Sequence, residues 1–342
     1  MDMTDPSIQT ALSGLAELEK DFAAVELDAM RRKEYAHKAL YEKRSKHLAK
    51  LPSFWPTVFI AGPQELQETY EDIDEQVLNS IKNFTVSRYQ ITSETEGEPR
   101  SLRFTFEFDT SKQETKLFED TTVTKDFEFV SRDDLPEGGG YVSKPVNFKW
   151  TKAGKKKELN KMLDLAEQLY QAERALVEDG DIEQKEREGL WQHEKLRSEL
   201  EKEEDKATNG EDQNASRSFL EWFGYRGVVM PNKEGEKATS KKKAEAINAE
   251  EDEDQNENVE ADGLLEVEIY PAGGDIAQVL AEDMWPNCVD YFIQAHTDDG
   301  DDDISELEDD EADDDAPDLV EFAGFDNTDD NDARPNKKQR RS

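Results

Sequence analysis

The chain has 342 residues, 83 of them acidic and 43 basic, for a formal net charge of −40. Self-repulsion of that size keeps a protein soluble and repels polyphosphate, so naked nucleic acid is excluded as the main partner and dense cationic proteins lead. Only 35% of residues are hydrophobic and 37% are charged, which implies one ordered domain of moderate size with sizeable disordered parts.

Further exclusions follow from residue usage. The single cysteine, Cys288, rules out an internal disulfide framework and fits a reducing compartment. No apolar run approaches the eighteen or so residues of a membrane span, and no basic-then-apolar leader opens the chain. The expectation is a soluble intracellular protein with no membrane partner.

In chain order, Asp5 and Pro6 read as a cap followed by a first-turn proline, opening a long helix. Ile8, Leu15, Phe22, Ala29 and Ala36 recur every seven residues, with Leu12, Leu18, Val25 and Ala39 or Leu40 between them. That is a coiled-coil-like seam, and a dimer is the expectation, because such a stripe is costly to leave in water. The alternative is a helix folded back on its own domain. Dimerisation is assigned to Ile8, Leu12, Leu15, Phe22, Val25, Ala29, Ala36 and Leu40.

Leu51-Pro52-Ser53-Phe54-Trp55-Pro56 ends the helix, since each proline disfavours helical geometry in the residue before it. Pro63 then opens one shorter helix with Leu66, Tyr70, Ile73 and Val77 on its buried face. Period-two runs follow at Phe84 and Val86, at Leu102 to Phe108, at Lys125 to Phe129, and at Val146, Phe148 and Trp150. They predict four antiparallel strands, separated by turns at 96–99, 110–112 and 136–140. The fold class is α+β, a small antiparallel sheet packed with helices behind a long N-terminal helix.

Residues 155–205 are charge-rich and helical, broken by Gly180 and Gly189, and pattern alone does not place them. Phe219-Leu220-Glu221-Trp222-Phe223 is a compact aromatic cluster, and 231–262 reads as a lysine-rich then acid-rich surface loop. Asp275 to Met284 predicts a helix with Ile276, Val279 and Leu280 inward, stopped at Trp285-Pro286. From 298 to 315, 13 of 18 residues are acidic, which predicts an extended tail. The tail, 298–342, holds 19 acids and 5 bases, so 64 acids against 38 bases leave residues 1–297 at −26. The expected domains are a helix at 1–51, an α+β domain at 52–296 with inserts at 155–205 and 231–262, and an acidic tail at 297–342 that ends in a basic segment.

These landmarks together resemble the SET branch of the nucleosome assembly protein family. The resemblance is carried by Lys50-Leu51-Pro52-Ser53-Phe54-Trp55, by Phe219 to Phe223, and by Asp283-Met284-Trp285-Pro286-Asn287 with Tyr291-Phe292, in that order and followed by an acid tail. It covers roughly 7–296 with two gaps, and the two inserts are larger than SET proteins carry. It implies a homodimer joined by the long helix, with a concave underside on each α+β domain that holds core histones in the service of chromatin assembly. Glu221, Asp275, Glu282 and Asp283 match positions around that underside. The same resemblance implies a rival role, inhibition of a phosphatase or another enzyme. A third reading makes 155–205 a scaffold for some other partner.

Carboxylates suit the first role because histones present many lysines and arginines to a mobile tail. Asp301, Asp302, Asp303, Glu308, Asp309 and Asp310 are the tail's candidates, with plain solvation as the bland alternative. Lys337, Lys338, Arg340 and Arg341 read as a signal for a nuclear import receptor, in a protein of the nucleus that can shuttle to the cytoplasm. Folding back onto the acid tail is the other reading of that basic segment. No enzyme or cofactor is expected. His37, His47, His193 and His296 are scattered, Gly138 to Gly140 lack a phosphate-gripping lysine, and the calcium-loop spacing fails at Ala295. Trp55, Trp222 and Trp285 are expected in the core.

Overall fold

A computed structural model describes residues 6–131, 139–179, 189–208, 218–227 and 267–298. Helix α1 runs Pro6–Leu48, 43 residues and thus about 65 Å at 1.5 Å per residue. Its last turns join the domain. Leu48 is in the core, Tyr41 packs tilted against Trp285 with ring centroids 5.5 Å apart, and the Arg44 guanidinium stands over both rings at 4.7 and 4.4 Å.

The chain turns through Ser53, whose φ of 53° is a left-handed conformation, into α2 (Phe54–Ile60). Trp55 is helical despite preceding a proline. Pro56 falls in the first turn of α2, where backbone N–H groups have no intrahelical acceptor to lose. The single helix expected after Pro63 is two, α3 (Gln64–Gln67) and α4 (Asp72–Leu78). The break is made by a capping box, in which Glu71 caps the new helix and its backbone N–H donates to Asp74 at 2.9 Å. Leu66 and Val77 are buried, with Tyr70 and Ile73 packed against the core at its margin.

Strands β1 (Ile81–Ser87), β2 (Leu102–Phe108), β3 (Thr122–Ser131) and β4 (Gly139–Val142) form one antiparallel sheet in that order. Register sets Phe84 beside Phe106 and Val123, and Val86 beside Phe104 and Lys125, so every second residue enters the core. The first three strands lie where the alternation places them. The fourth does not. Val146, Phe148 and Trp150 pack inward, but their segment makes only scattered bonds, such as Val146 N–H to the Phe223 carbonyl at 2.8 Å and a single bridge from Trp150 to Phe118. Pro145 has no N–H to give a ladder there. Gly139 and Gly140, read as turn residues, pair with Ser131 and Val130 instead. A Cβ at Gly139 would stand 2.5 Å from the Phe129 ring, so this close approach requires glycine.

The stretch from 155 to 205 builds α5 (Lys152–Lys156), α6 (Asn160–Asp179) and α7 (Trp191–Thr208). α6 and α7 run antiparallel, since Lys161 near the start of α6 pairs with Glu199 in mid-α7, while Gln192 at the start of α7 lies beside Gln171 and Ala172 further along α6. Met162, Leu163, Leu165, Ala166 and Leu169 turn inward with Leu196 and Leu200. The 3-10 segment Phe219–Gly224 packs against α6 and carries Trp222, fully buried, whose indole N–H donates to Gly273 O at 3.0 Å. The predicted helix at 275–284 is split. α8 (Gly273–Gln278) gives way to a π turn, Val279–Met284, closed by Trp285 N–H to Leu280 O at 3.0 Å, before α9 (Cys288–Asp298). No described helix is long and apolar enough to cross a membrane.

Candidate interaction surfaces

The seam of α1 is uncovered in the single chain. Leu12, Leu15, Leu18, Phe22, Val25 and Leu40 stand exposed, Val25 at 68%, and Ala29 and Ala36 are exposed with them, while Ile8 is half-buried. Among the described residues, the hydrogen bonds and ion pairs of α1 with the domain run from Arg31, whose Nε donates to Gly97 O at 2.7 Å, through Glu34, 3.7 Å from Arg88. Leu12, Leu15, Leu18, Phe22 and Val25, all N-terminal to that point, are 46% to 68% exposed. Covering them would contribute about 1 kcal/mol for each large side chain, given that roughly half of each is already shielded by its helix neighbours.

The four acids assigned to the folded surface fall in three settings. Glu282 and Asp283 are neighbours on the π turn. Glu282, half-exposed, pairs with Arg88 at 3.1 Å. Asp283 accepts hydrogen bonds from Asn287 Nδ2 and from the Tyr291 hydroxyl, each at 2.9 Å. Burial first, and then that carboxylate, push Tyr291 up to about 12. Asp275 is exposed in the first turn of α8, and its charge adds to burial and Glu268 in raising Tyr225. Glu221 is half-buried in the 3-10 segment, where burial, then Asp74 and Glu221, push Tyr270 up to about 12. Glu282 and Asp283 therefore already hold partners within the chain, and a cationic ligand must share Glu282 with Arg88.

Asp301, Asp302, Asp303, Glu308, Asp309, Asp310 and the basic Lys337, Lys338, Arg340 and Arg341 lie outside the described residues. So do the whole of the 231–262 insert and the break at Gly180. Among the described residues no cluster of three His, Cys, Asp or Glu is disposed to hold a metal ion.

Sequence reasoning missed the Glu34, Arg88, Glu282 network that ties α1, the end of β1 and the π turn together. No local sequence pattern joins Glu34 on the long helix to Arg88 beyond the first strand. It also missed Asp74, fully buried, which accepts from the Ser218 hydroxyl at 2.6 Å and from Phe219 N–H at 2.8 Å. Burial raises Asp74 against the pull of those bonds. The capping signature at Glu71 was the available clue to that residue. The three tryptophans of the family motifs, Trp55, Trp222 and Trp285, are buried, and Trp55 stacks on Trp285.

Two curated proteins are similar in sequence. One is a Schizosaccharomyces pombe protein named as a nucleosome assembly protein, 26% identical over 153 residues, which are 42% of this chain and 59% of that protein. The other is Protein SET of Drosophila melanogaster, 30% identical over 118 residues, 34% of this chain and 39% of that one. The match thus spans less than two thirds of either relative. Both names fall in the family that the tryptophan motifs resemble. Among solved structures, Ccp1 aligns at a TM-score of 0.47 and 19% identity over 84% of this chain and 97% of that one. The Vps75 histone chaperone aligns at 0.46 and 18% over 84% and 99%. No protein-family model matches the chain.

Proposed function

We propose that this chain is a homodimeric histone chaperone of the nucleosome-assembly and SET kind, which shields the charge of core histones and so limits their off-pathway contacts with DNA. The observation that carries the reading is charge: residues 1–297 hold a net −26 beside a run of 13 acids in 18 residues, in a chain similar to two proteins named for nucleosome assembly and SET. Many modest ion pairs across a large acidic surface give a fast, reversible grip on a polycation, which suits delivery rather than storage. The exposed acids Asp275 and Glu282, with Glu221 and Asp283, are the proposed folded contribution, and Asp301 to Asp303 with Glu308 to Asp310 the tail's. The exposed seam on α1 is the proposed dimer interface.

The role needs no catalytic group or cofactor. It places the protein in the nucleus on chromatin, carried there by an import receptor that grips Lys337, Lys338, Arg340 and Arg341, with exchange to the cytoplasm. Light scattering of the full chain, alone and with each core histone pair at physiological salt, tests the reading, because exposed charges more than about 8 Å apart are then screened. A dimer that takes up histones at fixed stoichiometry is expected. A monomer, or a dimer indifferent to histones, overturns it and favours the rival implied by the SET resemblance, phosphatase inhibition, which a phosphatase assay reads directly.

A further inference from the structure

Among the described residues, one edge of the sheet is open. β1 is the first strand in the order, pairs only with β2, and makes no backbone hydrogen bond to a described residue along its other side. An edge left this way is a template for another extended chain unless something covers it. Here α1 passes beside the edge without closing on it, and a groove of about 400 Å³ lies between them. Thr85, Val86 and Ser87 line its floor in unbroken succession. Alternate strand residues point to opposite faces, so a groove that meets three in a row meets the strand's edge and its free amides and carbonyls.

The opposite wall is α1, which contributes Glu34, Tyr35 and Glu42. Tyr35 is 41% exposed, a ring available for stacking. Two bases, Lys38 and Arg88, also line the groove, but Arg88 is already held between Glu34 at 3.7 Å and Glu282 at 3.1 Å. Glu34 and Glu42 thus balance the two cations of the lining, while Glu282, beside Arg88, and a body of net −26 make the surroundings negative. The surroundings favour a cationic occupant, and the floor favours an extended one.

We propose that this groove binds a lysine- and arginine-rich segment of a partner, added as a further strand along β1, with its basic side chains reaching Glu42 and the Glu34, Glu282 pair and stacking on Tyr35. The proposal rests on the chaperone reading, which makes a histone the source of such a segment. It differs from charge shielding by the tail, because backbone pairing fixes register and direction.

Hydrogen exchange of the full-length protein, read by mass spectrometry with and without a synthetic Lys/Arg-rich peptide of about 15 residues, long enough to span a typical strand, is the test. Amides of β1 should slow on adding the peptide, and N-methylation of alternate peptide amides should abolish that protection. Tyr35→Lys, at an exposed helix position, should weaken the peptide tenfold or more. Peptide binding that leaves β1 exchange unchanged, or an affinity indifferent to Tyr35→Lys, overturns the groove. So do outward-facing β1 amides, those not bonded to β2, that are already slow in the free dimer, which would mean that a second copy fills it. Histone uptake with unprotected β1 removes the groove alone, whereas absence of histone uptake removes the chaperone reading as well.

Discussion

Lys125 stands on the core side of β3 with no exposed surface, its Nζ donating to Tyr225 O at 2.6 Å and Lys144 O at 2.9 Å. Burial holds its pKa well below the usual 10.5, because two carbonyls do not replace the hydration of an ammonium. Between that lowered value and 10.5 the unfolded chain keeps the proton that the folded chain has lost, so this residue makes stability rise with pH across the window. Lys125→Met removes the titration. Urea midpoints of the two proteins should diverge in favour of the natural one as pH climbs towards 10.5, and a constant difference would show that Lys125 does not titrate there. The tryptophans supply a second residue-scale contrast. Trp285 is buried under Tyr41 and Arg44, whereas Trp191 is 62% exposed. Trp285→Ala should cost about 3–5 kcal/mol in urea unfolding, and Trp191→Ala no more than about 0.5 kcal/mol. Similar losses at both would mean that burial is not what distinguishes them.

At the scale of elements, α1 does two jobs along its length. Beyond Arg31 it is bonded to its own domain, and before that its apolar stripe faces away from it. Placing charges in the stripe with Phe22→Glu and Val25→Glu together should therefore halve the mass seen by light scattering while near-ultraviolet dichroism of the core stays intact. A dimer that survives both changes would move the interface elsewhere. The seam was legible because a seven-residue repeat is a local pattern. The division of 63–78 into α3 and α4 was not, since Leu66, Tyr70, Ile73 and Val77 fit one helical face. The capping box at Glu71 decides that break, and the buried Asp74 carboxylate that completes it is fixed by Ser218, 144 residues away.

At the scale of the whole molecule, the acids are divided between a folded body and the segment beyond Asp298. Removing residues 298–342 takes away 19 acids and 5 bases, a net 14 negative charges. If the tail shares in binding, histone affinity should fall about tenfold or more, about 1.4 kcal/mol, and the dependence of affinity on salt should become shallower. Titrations across a salt series read both at once. Affinity and slope unchanged by the truncation would assign binding to the body alone.

Composition, period and punctuation by themselves determined the α+β class, the long helix with its seven-residue seam, three of four strands and the acidic balance. Each of these depends on residues near one another in sequence or on a simple sum of charge. Tertiary structure alone decided the rest. Gly139 and Gly140 pair with Ser131 and Val130 in the fourth strand, and a side chain at Gly139 would strike Phe129, a clash that depends on how β4 lies against β3. The antiparallel packing of α6 on α7 depends on distant partners, and the π turn at Val279–Met284 follows no local period. The candidate surface divides the same way: which residues are acidic was plain, but that Glu282 is shared with Arg88 and Asp283 held by Tyr291 is set by contacts that only the folded chain makes.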